Sequence, residues 1–147
     1  MPQFIEDRIF PYSAEQMYDL VADVNEYPNF LPWCIGARLY NINDDDFYAD
    51  LIIGFKVFRE RFTSHVMLSD GKIQINYIKG PLEHLHNVWC FEDRDEGGCK
   101  LHFEVDFEFK NKIFQKMVGG LFTEAVRRMV SSFELRAKEI YKNKDQK

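Results

Sequence analysis

The sequence has no apolar run long enough to cross a bilayer as a helix. Its opening, MPQFIEDRIF, lacks the basic start and apolar centre of a secretory signal, and the Arg/Ser-rich character of a transit peptide. A cytoplasmic protein is expected, at most peripheral to the inner membrane. Cysteine is scarce: three residues, at 34, 90 and 99, form no C-x-x-C pair. That excludes a disulfide framework and suits a reducing compartment. Basic charge is also in deficit, with 19 Lys and Arg against 24 Asp and Glu and a net charge of −5. DNA is therefore not an expected partner, because phosphate binding rests on neutralising backbone charge. The nearest basic patch, KNKIFQK with Lys110, Lys112 and Lys116, is small. Strong attraction to an anionic membrane is disfavoured on the same ground.

Chemical motifs are missing as well. There is no Gly-rich phosphate loop, nucleophile elbow, zinc motif or carboxylate dyad. An enzyme needs positioned acid, base or nucleophile groups, so catalysis is not expected. No repeat, low-complexity tract or linker divides the 147 residues. One domain spanning 1–147 is expected, able to bury about 70% of its extended-chain surface.

Aromatic residues are abundant instead: 16% of the chain, with fourteen phenylalanines. PQFIEDRIF alternates as a first strand. YSAEQMYDLVADVN then reads as a helix, with Ser13 as N-cap, Gln16 completing a capping box, and Met17, Leu20, Val21 and Val24 on one face. The helix must stop before Pro28, since the residue preceding a proline is pushed out of the α region. The segment that follows, YPNFLPWC (27–34), is too apolar for an ordinary loop, and Pro32 argues against a central strand. It either plugs a core or walls a cavity.

Period-two alternation takes over from there. ARLYNIN, FYADLIIGF, FRERFTSHVML, KIQINYIKG, LHNVWCFED and LHFEVDFEF read as strands, with D-G at 70–71 as a hairpin signal and G-P at 80–81 as a break. In the last strand Leu101, Phe103, Val105, Phe107 and Phe109 alternate with His102, Glu104, Asp106 and Glu108, as in an antiparallel sheet covered on one side. The remaining third carries an apolar stripe at helical spacing over roughly 112–142, long enough to cross the sheet. Gly119-Gly120 inside it needs an offset, either close packing or room for a ligand, because each glycine costs roughly 1 kcal/mol in a helix interior.

Polar candidates are few. His84 and His86 lie two apart at a strand start, but no Cys or carboxylate at typical ligand spacing completes a metal site, so surface histidines are expected. His65 and His102 fall on polar faces and are expected to be solvated. Cys34, beside Trp33 with no acid–base partner, is expected to be a buried, inert thiol. Glu60 and Ser64 share the parity of Phe58, Phe62 and Val66 and so point toward the dry side. There they are either a polar contact for a ligand head group or a place where parity fails.

YPNFLPWC after a capped helix, GPLEHLHNVWCFED ahead of the last strand, and FTEAVRRMVSSFELRAKEIY near the end together resemble a known family. The chain is similar over nearly its full length to the coenzyme Q-binding proteins of the START-like (polyketide cyclase/lipid transport) superfamily. The position after Gly80-Pro81, often Phe in that family, is Leu82 here. The resemblance implies an α+β helix-grip fold: a curved antiparallel sheet of six to seven strands wrapped around a long C-terminal helix, with a hydrophobic tunnel between. It implies ubiquinone or a related polyprenyl quinone as bound ligand, no catalytic cofactor, and transient contact with membrane or with respiratory and quinone-biosynthesis proteins. Phe30, Leu31 and Trp33 are then expected at the tunnel mouth. Leu51, Ile53, Phe62, Tyr77, Trp89, Phe91, Phe103, Val105 and Phe107 would form the sheet wall, and Phe122, Val126 and Met129 the helix wall. The same family includes toxin-like proteins that interfere with ribosomal subunit association, which makes a ribosomal subunit the alternative partner. A cyclase-type enzyme is a third option, with only Glu60 and Tyr77 as acid–base candidates.

Overall fold

The computed structural model describes residues 3–55, 58–119 and 122–145. Strand β1 (Gln3–Phe10) leads into helix α1 (Ala14–Ala22), whose start is closed by the expected capping box. Gln16 N–H donates to Ser13 Oγ at 3.0 Å, and Ser13 N–H donates to Gln16 Oε1 at 2.9 Å. The α-helix ends at Ala22, earlier than the spacing predicted. The chain then tightens into a 3₁₀ helix, Val24–Asn29, that contains Pro28. A proline in a short 3₁₀ turn gives up a bond that only a longer α-helix would have needed.

Six strands follow: β2 (Cys34–Tyr40), β3 (Asp46–Phe55), β4 (Phe58–Ser69), β5 (Lys72–Lys79), β6 (Leu82–Asp93) and β7 (Cys99–Phe109). They form one seven-stranded antiparallel sheet in the order β1-β7-β6-β5-β4-β3-β2. The meander runs from β2 to β7, and β1 returns to pair with β7. β2 is an edge strand, which is why Pro32 can precede it without disrupting a ladder. The D-G turn is confirmed by Gly71 at φ 68°, and the β6–β7 turn, Glu96-Gly97-Gly98, has Gly97 at 99° and Gly98 at 74°.

The C-terminal part holds α2 (Lys112–Gly119) and α3 (Phe122–Asp145). Residues 120–121 lie outside the described residues, so the single helix expected over 112–142 is described on either side of them, as α2 and α3. From α3, Val126, Val130, Phe133, Ala137 and Tyr141 are buried against the sheet at spacings of a helical stripe. Phe133 is central. Its ring meets Tyr27, Phe30 and Trp89 edge-on at 5.3, 5.2 and 5.2 Å between centroids, and Trp89 meets Phe103 across the β6–β7 ladder at 4.5 Å. At its far end α3 is pinned to α1 by Tyr141, whose hydroxyl donates to the Gln16 carbonyl at 2.7 Å.

An antiparallel meander puts alternate turns at opposite ends of the sheet. The β2–β3, β4–β5 and β6–β7 turns share one end with the start of α1, where Ala14 N–H donates to Asp93 Oδ1 at 2.8 Å. The β3–β4 hairpin, the β5–β6 turn and the β7–α2 junction share the other. YPNFLPWC reaches this second end, since Gly54 N–H near the β3–β4 tip donates to the Trp33 carbonyl at 2.8 Å.

Candidate functional site

The inner face of the sheet divides into two halves. Toward the β6–β7 turn, Phe47, Val66, Ile73, Trp89, Phe91, Leu101 and Phe103 are buried under α1 and α3. Toward the β3–β4 hairpin, Leu51, Ile53, Phe62, Tyr77 and Phe107 are only half-buried, although they lie in register on the same face. Leu51 sits opposite Phe62, and Leu85 opposite Phe107. The second half is therefore an apolar wall less covered than the first by the described residues.

YPNFLPWC closes this end. Tyr27 is buried and its hydroxyl donates to the Val21 carbonyl, with burial pushing its pKa well up. Phe30, Leu31 and Trp33 are half-buried. Trp33 has φ of 69°, in the left-handed region that non-glycine residues seldom adopt, at a cost of about 1–3 kcal/mol. That backbone turn, followed by a register shift between Cys34 and Gly36, aims the segment into the edge of β3. Arg136 of α3 holds the segment from the other side, with its guanidinium 5.4 Å from the Phe30 ring centroid and 3.6 Å from Glu26. Cys34 is buried, and its thiol is shifted up by that burial, as expected of an inert cysteine. Burial likewise pushes Cys99 up to about 11.

The residues expected in a tunnel wall thus take different places. Trp89, Phe91, Phe103, Val105 and Val126 belong to the packed core. Phe30, Leu31, Trp33, Leu51, Ile53, Phe62, Tyr77, Phe107 and Met129 border the less covered half or its rim. The side chain of Phe122 lies outside the described residues. Glu60 pairs with Ile53 across the ladder yet is exposed, because it stands near the end of the hairpin rather than over the core. Ser64 is different. It lies opposite Ala49 and Tyr77 on the inner face, is 3% exposed, and its Oγ has no hydrogen-bond partner among the described residues. Tyr77 Oη accepts from Leu82 N–H at 3.0 Å, and Asn87, a second inner polar residue, is satisfied by the Glu104 carbonyl and Trp89 Nε1.

The histidines are less free than their pattern suggested. His65 bonds Asp46 at 2.6 Å and stacks on Tyr48, and His84 bonds Asp106 at 3.1 Å. His102 lies between Glu104 at 2.7 Å and Asp7 at 2.6 Å, and these bonds raise its pKa above the ordinary histidine value. Solvation was expected for His65 and His102. Asp46, Asp106 and Asp7 are cross-strand carboxylates that spacing along one strand does not reveal, whereas Glu104 lies two residues from His102 on the same strand. Among the described residues no group of three or more His, Cys, Asp or Glu side chains is arranged to hold a metal ion. None of the described helices is long and apolar enough to cross a membrane.

An antiparallel sheet gripping a C-terminal helix, with an apolar inner wall less covered at one end, defines the START-like helix-grip class. The chain belongs to the family described as polyketide cyclase / dehydrase and lipid transport, which matches residues 10–134. It is 38% identical over 142 residues to the ribosome association toxin RatA of Escherichia coli, covering 96% of this chain and 90% of that protein. It is 34% identical to the mitochondrial coenzyme Q-binding protein COQ10 homolog B of Xenopus laevis, covering 95% of this chain and 59% of that one. A START superfamily protein from Mycobacterium smegmatis shares the fold at a TM-score of 0.80 and 17% identity, covering 94% and 98% of the two chains.

Proposed function

We propose that this protein binds ubiquinone or a related polyprenylated quinone between the sheet and α3, and acts as a non-catalytic lipid chaperone supporting respiratory electron transport and ubiquinone biosynthesis. The observation that carries the reading is the less covered apolar half of the inner face with a buried, unpartnered hydroxyl at its margin. An isoprenoid tail gains about 25 cal/mol for each Å² removed from water and asks for no polar partner. Its ring carbonyl can accept from Ser64 Oγ, which otherwise bears the cost of a buried group without a bond. Similarity to a coenzyme Q-binding protein supports the choice of quinone. Glu60 is exposed, away from the interior in which a cyclase would need its acid or base, which favours binding over turnover.

Mass spectrometry of protein purified from its own host should find extractable ubiquinone or a polyprenyl compound. Empty protein from quinone-replete cells, with no uptake from liposomes, would sink the reading. A second reading, association with a ribosomal subunit, is favoured by the 38% identity to RatA over nearly the whole chain. It predicts co-sedimentation with a subunit in gradients, and consistent absence from those fractions rejects it.

A further inference from the structure

The net charge of −5 is not spread evenly: the topology sorts it to opposite ends. At the end of the β2–β3, β4–β5 and β6–β7 turns stand Asp44, Asp45, Asp70, Asp93, Asp95 and Glu96, offset by Lys72 and Arg94. At the other end Arg59, Arg61, Lys79, Lys110, Lys112 and Lys116 are all exposed. These come from three separate stretches that the fold joins. Lys79 pairs with Thr63 across the β4–β5 ladder, a β-carbon on Gly80 would fall 2.6 Å from Phe62 Cβ, and Lys110 N–H donates to the Pro81 carbonyl at 2.8 Å. Opposing carboxylates are fewer: Glu60, Glu83 and Glu124 are exposed, and Glu108 is engaged by Lys112 at 3.5 Å. The Lys110–Lys116 patch, small in the sequence, is thus one part of a larger basic surface.

The same end presents apolar groups. Ile113 on α2 is 76% exposed and Ile78 on β5 is 51% exposed. Behind them lies the half-buried wall of Leu51, Ile53, Phe62 and Phe107. We infer that this end of the sheet docks on an anionic phospholipid surface, with Arg59, Arg61, Lys79, Lys110, Lys112 and Lys116 toward the head groups and Ile113 entering the interface. Basic side chains near an anionic leaflet attract it additively, and an adjacent apolar group adds burial. The acidic end points away from the bilayer, which orients the molecule. RNA is the competing occupant: single strands are held by stacking on exposed aromatic rings, and none of the aromatic side chains whose exposure is described is exposed. Docking stands on charge and exposure alone. Only the passage of cargo through this end rests on the proposed ligand reading.

The test is flotation with vesicles of phosphatidylcholine alone and of phosphatidylcholine mixed with phosphatidylglycerol. The protein should bind the mixed vesicles at low salt and release them as salt rises. K110E/K112E/K116E and, on a separate element, R59E/R61E should each weaken binding, the triple variant by about a hundredfold or more. D44N/D45N at the opposite end should not. Quenching of intrinsic tryptophan fluorescence by a quinone delivered in detergent should persist in both charge-reversal variants, so that loss of docking and loss of the ligand site are read separately. Equal binding to the two vesicle types, or no loss in either charge-reversal variant, overturns the proposal. So does charge-dependent binding to RNA or ribosomal subunits by protein that ignores the vesicles.

Discussion

Truncating two interior phenylalanines, Phe133 on α3 and Phe107 on β7, should separate packed core from less covered wall. Phe133 is 1% exposed and touches three aromatic rings at 5.2–5.3 Å. Phe133→Ala removes a whole buried ring and leaves Tyr27, Phe30 and Trp89 facing a void. The cost is expected near the top of the range of about 3–5 kcal/mol for such changes. Against a total stability of about 5–15 kcal/mol this is a large loss. At about 2–4 °C per kcal/mol, it lowers the melting temperature by roughly 10 °C or more. Phe107 meets Phe109 edge-on at 5.3 Å, and its side chain is half-buried. Phe107→Ala gives up only part of the transfer energy and opens no closed void, so about 1–2 kcal/mol is expected. Urea unfolding followed by far-ultraviolet circular dichroism measures both, and an unchanged denaturant slope keeps the comparison within two states. A Phe107→Ala cost equal to that of Phe133→Ala would refute the division of the inner face. A Phe133→Ala cost below about 2 kcal/mol would refute the central packing role given to α3.

Three further outcomes are expected. Ser64→Ala removes a buried hydroxyl that has no partner, so the ligand-free protein should gain about 1 kcal/mol in urea while quinone affinity falls; a stability loss of similar size would show that the hydroxyl is bonded after all. Gly98 has φ of 74°, and a β-carbon there would sit 2.2 Å from the Phe10 carbonyl, so Gly98→Ala should cost at least about 2 kcal/mol, and a change within about 0.5 kcal/mol contradicts the turn geometry. His102, its pKa raised by bonds to Glu104 and Asp7, should titrate above about 6.5 in an NMR titration. Because the folded value is the higher one, its stabilising contribution is fully present below about pH 6.5 and fades as pH rises through the folded pKa. Asp7 and Glu104 are shifted down, chiefly by the same histidine, so their contribution is lost instead as pH falls through their folded values. The stability difference between the parent and His102→Asn should therefore shrink toward alkaline pH, and a difference that grows there would reverse the assignment.

Periodicity in the chain identifies most of the scaffold because local physics dictates it. Ser13 and Gln16 cap α1 through bonds three residues apart, and the alternation from Leu101 to Phe109 assigns one face of β7 to the interior. D-G at 70–71 and E-G-G at 96–98 turn the chain where left-handed backbone is needed. Local pattern also marks YPNFLPWC as unusual, and the family motif points to a START-like grip. Parity, however, says only which way a side chain points, not what covers it. It grouped Trp89 and Phe103 with Leu51 and Phe62, although the former are buried under α3 and the latter are not. It did not reveal the second partner of His102, because Asp7 stands 95 residues away in sequence.

By itself, then, the sequence determined the elements, their wet and dry faces and the family. Those follow from backbone sterics and from burial patterns that repeat within a few residues. Tertiary structure alone decided the uneven cover of the inner wall, the unpartnered Ser64 hydroxyl, and the gathering of basic groups at one end. Each of these depends on contacts between strands and helices far apart in the chain.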